Sequence, residues 1–135
     1  MKVVVSGSGT DLSCQVDPRF GRCPYYLIVD TDTMAFEFIS NIANSSAHGA
    51  GIKAAQLVAS KGVEAVLTGN VGPNAYRALS ASSIKVISGI TGSVMDAVER
   101  FKGGELDETG GPTVRGHFGT GRDSPMQGRG RRRRL

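Results

Sequence analysis

Val63-Glu64-Ala65-Val66-Leu67-Thr68-Gly69-Asn70-Val71-Gly72-Pro73-Asn74-Ala75 is the stretch on which the fold turns. Residues 63–68 are short, mostly apolar and bounded by glycine, which reads as a buried strand. Gly69 and Gly72 break it. Pro73 stands where a helix can open, because the N–H it lacks would have no intrahelical acceptor there. The helix is expected to run from Pro73 to Ser82. The same unit follows at once: a strand over Ile84–Ser88, a loop containing Gly89 and Gly92, and a helix over Ser93–Lys102. Val94, Ala97, Val98 and Phe101 share one face of that helix, and Gly103 and Gly104 end it. Consecutive strand–loop–helix units demand a parallel sheet with right-handed crossovers.

Upstream, residues 49–61 carry Ile52, Ala54, Ala55, Leu57, Val58 and Ala59 at helical spacing, with Gly62 as the stop. The first forty residues have a different period. Val3-Val4-Val5, within a strand over 2–6, reads as buried on both faces. A loop rich in Gly, Ser, Asp and Pro occupies residues 7–24. Tyr25–Asp30 is the second strand, 31–33 a turn, and 34–40 the third strand. In that third strand Met34, Phe36 and Phe38 alternate with Ala35 and Glu37, as in a half-solvated hairpin partner. The order is βββαβαβα. An antiparallel hairpin joined to a parallel half makes an α/β domain with a mixed five-stranded sheet, helices on its faces, in the ribonuclease H-like arrangement.

The chain has 135 residues and a formal net charge of +4. That charge is uneven. Residues 1–103 hold nine Lys plus Arg against eight Asp plus Glu, and five Arg crowd into 129–134. The division expected is a domain over 1–105 and a flexible Gly/Arg-rich tail over 106–135, too poor in apolar groups to offset its ordering entropy. No apolar run reaches the roughly 18 residues of a membrane span. No secretory leader is visible, and two cysteines make no disulfide scaffold. A cytoplasmic protein with reduced thiols, and without a membrane partner, is the expectation.

Three Gly-bearing helix starts, at 49–51, 69–73 and 89–93, should meet at the carboxyl rim of the sheet, where α/β proteins bind ligands. Helix N-termini there favour an anion. Tight β-to-α turns also use Gly without any ligand, so the convergence, rather than any single turn, carries the signal. The 7–24 loop reaches the same rim with Asp11, Cys14, Asp17, Arg19, Arg22 and Cys23. Loops of that length are usually functional. Its arginines offer forked donors, and its cysteines are soft-metal candidates that spacing alone does not support. Neither a Walker-type phosphate loop, a dinucleotide fingerprint nor a Ser-His-Asp arrangement is present. Nothing in the sequence asks for catalytic turnover, so a non-enzyme is expected.

Asp17-Pro18-Arg19-Phe20-Gly21-Arg22-Cys23-Pro24-Tyr25-Tyr26, His48-Gly49-Ala50-Gly51 and Thr68-Gly69-Asn70-Val71-Gly72-Pro73-Asn74-Ala75 together resemble the dinitrogenase iron-molybdenum cofactor biosynthesis family. The resemblance covers about residues 1–105 and points to its small stand-alone Orange Protein type. It implies a carrier or assembly protein for an anionic molybdenum-containing cluster, either a molybdenum–copper sulfide or an iron–molybdenum–sulfur cofactor, held non-covalently. It further implies a pocket of Arg19, Gly21, Arg22, Cys23, His48, Gly49, Gly51, Gly69, Asn70, Gly72 and Asn74, with Cys23 and His48 as candidate metal ligands. The implied protein partner is a recipient or scaffold for the cluster. The alternative is a nucleic-acid or acidic-partner binder acting through the Arg-rich tail. Nucleic acid is disfavoured because the folded part is nearly neutral and shows no aromatic platform.

Overall fold

The computed structural model describes residues 1–41 and 49–112; His48 and the Arg-rich residues 113–135 lie outside them. The elements are β1 (Lys2–Gly7), β2 (Tyr25–Asp30), β3 (Phe36–Ser40), α1 (Ala50–Ala59), β4 (Ala65–Leu67), α2 (Pro73–Ala81), β5 (Lys85–Ile87) and α3 (Val94–Lys102). They build a mixed five-stranded sheet in the order β3-β2-β1-β4-β5. β1 pairs antiparallel with β2 and parallel with β4, so Val4 faces Ile28 on one side and Val66 on the other. β2 pairs antiparallel with β3, and β4 parallel with β5.

The Val run sits in the centre because three β-branched residues in a row can bury both faces of the pleat. Val3, Val4 and Val5 are fully buried. Val4 joins Ile28, Val66 and Val86 beneath α1 and α2, whose Ala54, Ala55, Val58, Ala75 and Leu79 close that face. Val3 and Val5 join Leu27, Leu67 and Ile87 beneath α3, through Val94, Ala97 and Val98. Burying each such Val or Leu stabilises the fold by roughly 1.5–3 kcal/mol. Small residues on α1 and α2 let both helices lie close to the sheet.

Three local expectations change. Met34 belongs to the turn, with φ at 62°, and β3 starts at Phe36. Phe36 and Phe38 are 41% and 49% exposed and belong to neither core cluster. Alternation put them on one face correctly, but α3 covers the central strands rather than this edge; Phe38 makes a T-shaped contact with the Tyr25 ring, at 5.9 Å between centroids. The C-terminal boundary also moves. Leu106 packs against the α3-side core, and Thr109 N–H donates to the Val86 carbonyl at 2.7 Å. A tail starting at residue 106 would leave those contacts unmade. Among the described residues no helix is long and apolar enough to cross a membrane.

Candidate functional site

The loop between β1 and β2 divides its work. Its first half serves α3. Val94 N–H donates to the Cys14 carbonyl and Met95 N–H to the Leu12 carbonyl, both at 2.9 Å, while Asp96 N–H donates to Ser93 Oγ at 3.0 Å. The donors that open α3 are therefore consumed inside the fold. The expected convergence of three helix starts reduces to two.

The second half of the loop crosses to the β4–α2 turn. Asn70 N–H donates to the Pro18 carbonyl at 2.7 Å, and Phe20 N–H to the Asn70 carbonyl at 3.2 Å. Gly69 makes this junction possible: a Cβ there would stand 2.6 Å from Pro18 Cα. Phe20 plunges into the core against Tyr26, with ring centroids 5.4 Å apart. The Phe20 carbonyl accepts from both the Tyr26 hydroxyl and Cys23 Sγ. Asn41 Nδ2 donates to the carbonyls of Gly21 (3.1 Å) and Cys23 (2.9 Å). A buried amide thus clamps the turn that presents Gly21 and Arg22, a role invisible to motif reading because Asn41 lies at the far end of β3.

Gly21 then lies against α1, where a Cβ would come 3.2 Å from Gly51 Cα. Gly51 lies against α2, where a Cβ would come 3.2 Å from Ala75 Cβ. This stacking opens a cleft of about 500 Å³ walled by Gly21 and Arg22, residues 49–52, and residues 72–75. None of these residues is acidic. Gly49, in the left-handed region, is the N-cap residue of α1 and Gly72 that of α2, and neither N-terminus has a side-chain cap. First-turn N–H groups have no acceptor within their own helix, and each helix end carries about half a positive charge. The cleft is therefore an arrangement of backbone donors and one guanidinium suited to an anion. A smaller cleft of about 250 Å³, at the start of β1, is lined by both signs of charge, Lys2 with Asp30 and Glu37.

Six expected residues line the larger cleft: Gly21, Arg22, Gly49, Gly51, Gly72 and Asn74. Ala50, Ile52, Pro73 and Ala75 line it too; their place in the first turns of α1 and α2 was the available signal. Four expected residues do not line it. Arg19 is exposed and leans on Asp17, 3.5 Å from Nε to Oδ1. Gly69 is buried at the loop junction, and Asn70 forms its backbone bridge with Arg19. Cys23 is fully buried in the core. Burial pushes its thiol up to about 12, so it stays protonated at neutral pH in the metal-free protein. The Tyr26 hydroxyl beside it is pushed up for the same first reason. Cys14 packs on the α3 side instead. Among the described residues no group of three or more His, Cys, Asp or Glu is placed to hold a metal ion.

Fold and cleft together make a small α/β domain with a candidate ligand site of loop and helix-start backbone. The sequence profile described as dinitrogenase iron-molybdenum cofactor matches residues 1–104, and the chain belongs to that family. An uncharacterized protein of Methanocaldococcus jannaschii is 33% identical over 97 residues, covering 70% of this chain and 82% of its own length. The apo form of the orange protein from Desulfovibrio gigas is similar in structure, with a TM-score of 0.82 and 43% identity over 84% of this chain and 96% of that one. A NifB-like Thermotoga protein of the DUF35 family gives a TM-score of 0.70 and 39% identity over 79% of this chain and 91% of that one. These likenesses support the relationship to the Orange Protein type.

Proposed function

We propose that this protein is a non-catalytic carrier or assembly protein that holds an anionic molybdenum-containing metal–sulfur cluster in the α1–α2 cleft. The observation that carries the reading is the cleft itself: two uncapped helix N-termini and Arg22 around about 500 Å³, with no acidic wall. The volume lies within the roughly 300–1,000 Å³ usual for small-ligand sites. Glycine walls bring backbone N–H groups to the ligand, and a guanidinium supplies a forked donor to oxygen or sulfur. A sulfide-saturated cluster needs no protein thiolate, which fits the buried, protonated Cys23. Family membership supports cofactor handling, and the strand order is compatible with the ribonuclease H-like arrangement. The molybdenum–copper sulfide cluster is the preferred cargo of the two, on the likeness to the orange protein. Handing the cargo to a recipient protein completes the role.

The test is anaerobic mixing of apo-protein with tetrathiomolybdate and copper, followed by desalting and metal analysis. The expected result is protein-bound colour at a fixed molybdenum-to-copper ratio. Arg22→Ala should lower retention about tenfold with an unchanged circular dichroism spectrum, as for loss of one charge-assisted contact. Elution of all metal in the small-molecule fraction overturns the proposal.

A further inference from the structure

Asn41 directly follows β3, and its side chain turns to the loop that walls the cleft. The pairing of Ser40 with Tyr25 brings it opposite Pro24, whose carbonyl accepts the Asn41 N–H at 2.9 Å. Alternation puts its side chain on the same face as Ile39, which packs against the core beneath α1 and α2. There Asn41 is 3% exposed. Both hydrogens of its amide go to one turn, at 3.1 Å to the Gly21 carbonyl and 2.9 Å to the Cys23 carbonyl. Both partners are acceptors, so it is the nitrogen end of the amide that faces them.

These bonds complete a set. The Arg19 carbonyl accepts from Arg22 N–H at 3.3 Å, and the Phe20 carbonyl from the Tyr26 and Cys23 side chains. The carbonyls of Arg19, Phe20, Gly21 and Cys23 are thus all held by donors of the protein itself. A carbonyl held in this way does not swing its negative end toward an anion. Gly21 and Arg22, between the two carbonyls that Asn41 holds or beside them, line the cleft, whereas Asn41 does not. Gly21 has no side chain to cushion it against α1, where a Cβ would come 3.2 Å from Gly51 Cα. Any drift of the turn therefore moves Arg22 relative to the start of α1. A guanidinium on an exposed turn binds best when its backbone is fixed beforehand, because ordering it on binding costs affinity.

We infer, on the cargo reading of the cleft, that Asn41 is a positioning residue for cluster binding: it fixes the Gly21–Arg22 turn so that Arg22 meets the anion already in place. Its effect passes through Arg22, so its loss costs no more affinity than the loss of Arg22 itself.

The experiment is a tetrathiomolybdate titration of wild type, Asn41→Ala, Arg22→Ala and the double variant, with backbone amide NMR relaxation of each apo-protein. Asn41→Ala should bind about fivefold more weakly than wild type, inside the roughly tenfold expected for Arg22→Ala. The double variant should match Arg22→Ala within about twofold, because residues acting as one unit are not additive. In apo Asn41→Ala the order parameters of Gly21 and Arg22 should fall from about 0.85 to below about 0.6, with those of α1 unchanged. Thr109→Ala, which removes the acceptor for Ser88 N–H and no wall of the cleft, should bind as wild type. Asn41→Ser, which keeps a single short donor, takes the place of Asn41→Ala if that variant does not fold. A loss below about twofold or above that of Arg22→Ala, or a further loss beyond about twofold in the double variant, overturns the inference while leaving the cleft reading intact. So does unchanged order at Gly21 and Arg22, or an equal loss of affinity in Thr109→Ala. If wild type does not bind tetrathiomolybdate, the cleft reading fails and the inference with it.

Discussion

Changing Gly69 to Ala should damage the fold far more than one methyl group suggests. The added Cβ would stand 2.6 Å from Pro18 Cα and 2.9 Å from the Pro18 carbonyl oxygen. Both are backbone atoms, so no side chain can rotate away. The loop and the β4–α2 turn must separate by most of an ångström, which stretches Asn70 N–H to the Pro18 carbonyl (2.7 Å) and Phe20 N–H to the Asn70 carbonyl (3.2 Å). Overpacking costs roughly 1–3 kcal/mol and the weakened hydrogen bonds about 1 kcal/mol more, for a total of about 2–4 kcal/mol. For a domain near 100 residues that is a fall in Tm of about 10–20 °C. The assay is thermal unfolding followed by far-ultraviolet circular dichroism, with Gly72→Ala in parallel. Gly72 has φ at −81° and nothing within 4 Å of an added Cβ, so its variant should stay within about 0.5 kcal/mol of wild type. A Gly69→Ala protein melting within about 2 °C of wild type would refute the packing argument, as would an equal loss at Gly72.

The two cysteines should part company in solution: a maleimide should label Cys14 alone in the native protein and both residues after unfolding, read by mass spectrometry. Because the folded Cys23 thiol is pushed up from 9.0 to about 12, the unfolded chain loses its proton first, and stability should fall as pH rises from about 9 toward 12. The slope is about 1.4 kcal/mol per pH unit, measured by urea unfolding, and Cys23→Ala should remove the thiol's share of it below pH 10, before Tyr26 adds its own; a flat wild-type profile between pH 9 and 10 contradicts the burial. Thr109→Ala removes the acceptor for Ser88 N–H and should cost about 1–2 kcal/mol by the same unfolding assay, an outcome a free tail at this position would not give.

Much of the fold was legible because its cues are local. Three Val in a row mark a central strand, and Pro73 after Gly72 marks a helix start, whatever surrounds them. The parts that were not legible depend on distant partners. The opening of α3 looks like the openings of α1 and α2 until the carbonyls of Leu12 and Cys14 arrive from about eighty residues away. Cys23 directly follows the exposed, cleft-lining Arg22 in sequence, yet it packs with Phe20 and Tyr26 in the core. Phe36 and Phe38 alternate as inward residues do, and only the position of α3 decides that they stay exposed. The docking of Thr109 is made largely by backbone and hydroxyl groups, which leave no hydrophobic pattern to read.

Glycine shows why the candidate site could be placed but not dissected from sequence. Five glycines of the three motifs look alike as letters and have different causes. Gly49 adopts φ at 73°, which L-residues avoid. Gly21 and Gly51 permit the close approach of the loop to α1 and of α1 to α2, and Gly69 permits the junction with Pro18. Gly72 has neither reason: its backbone suits any residue and the space above it is open. Four of the five are therefore accounted for by folding alone, so their presence is weak evidence for a ligand. Gly72 is the residue whose missing side chain keeps room in the cleft without serving the fold, and on it the functional reading of the motif most directly depends.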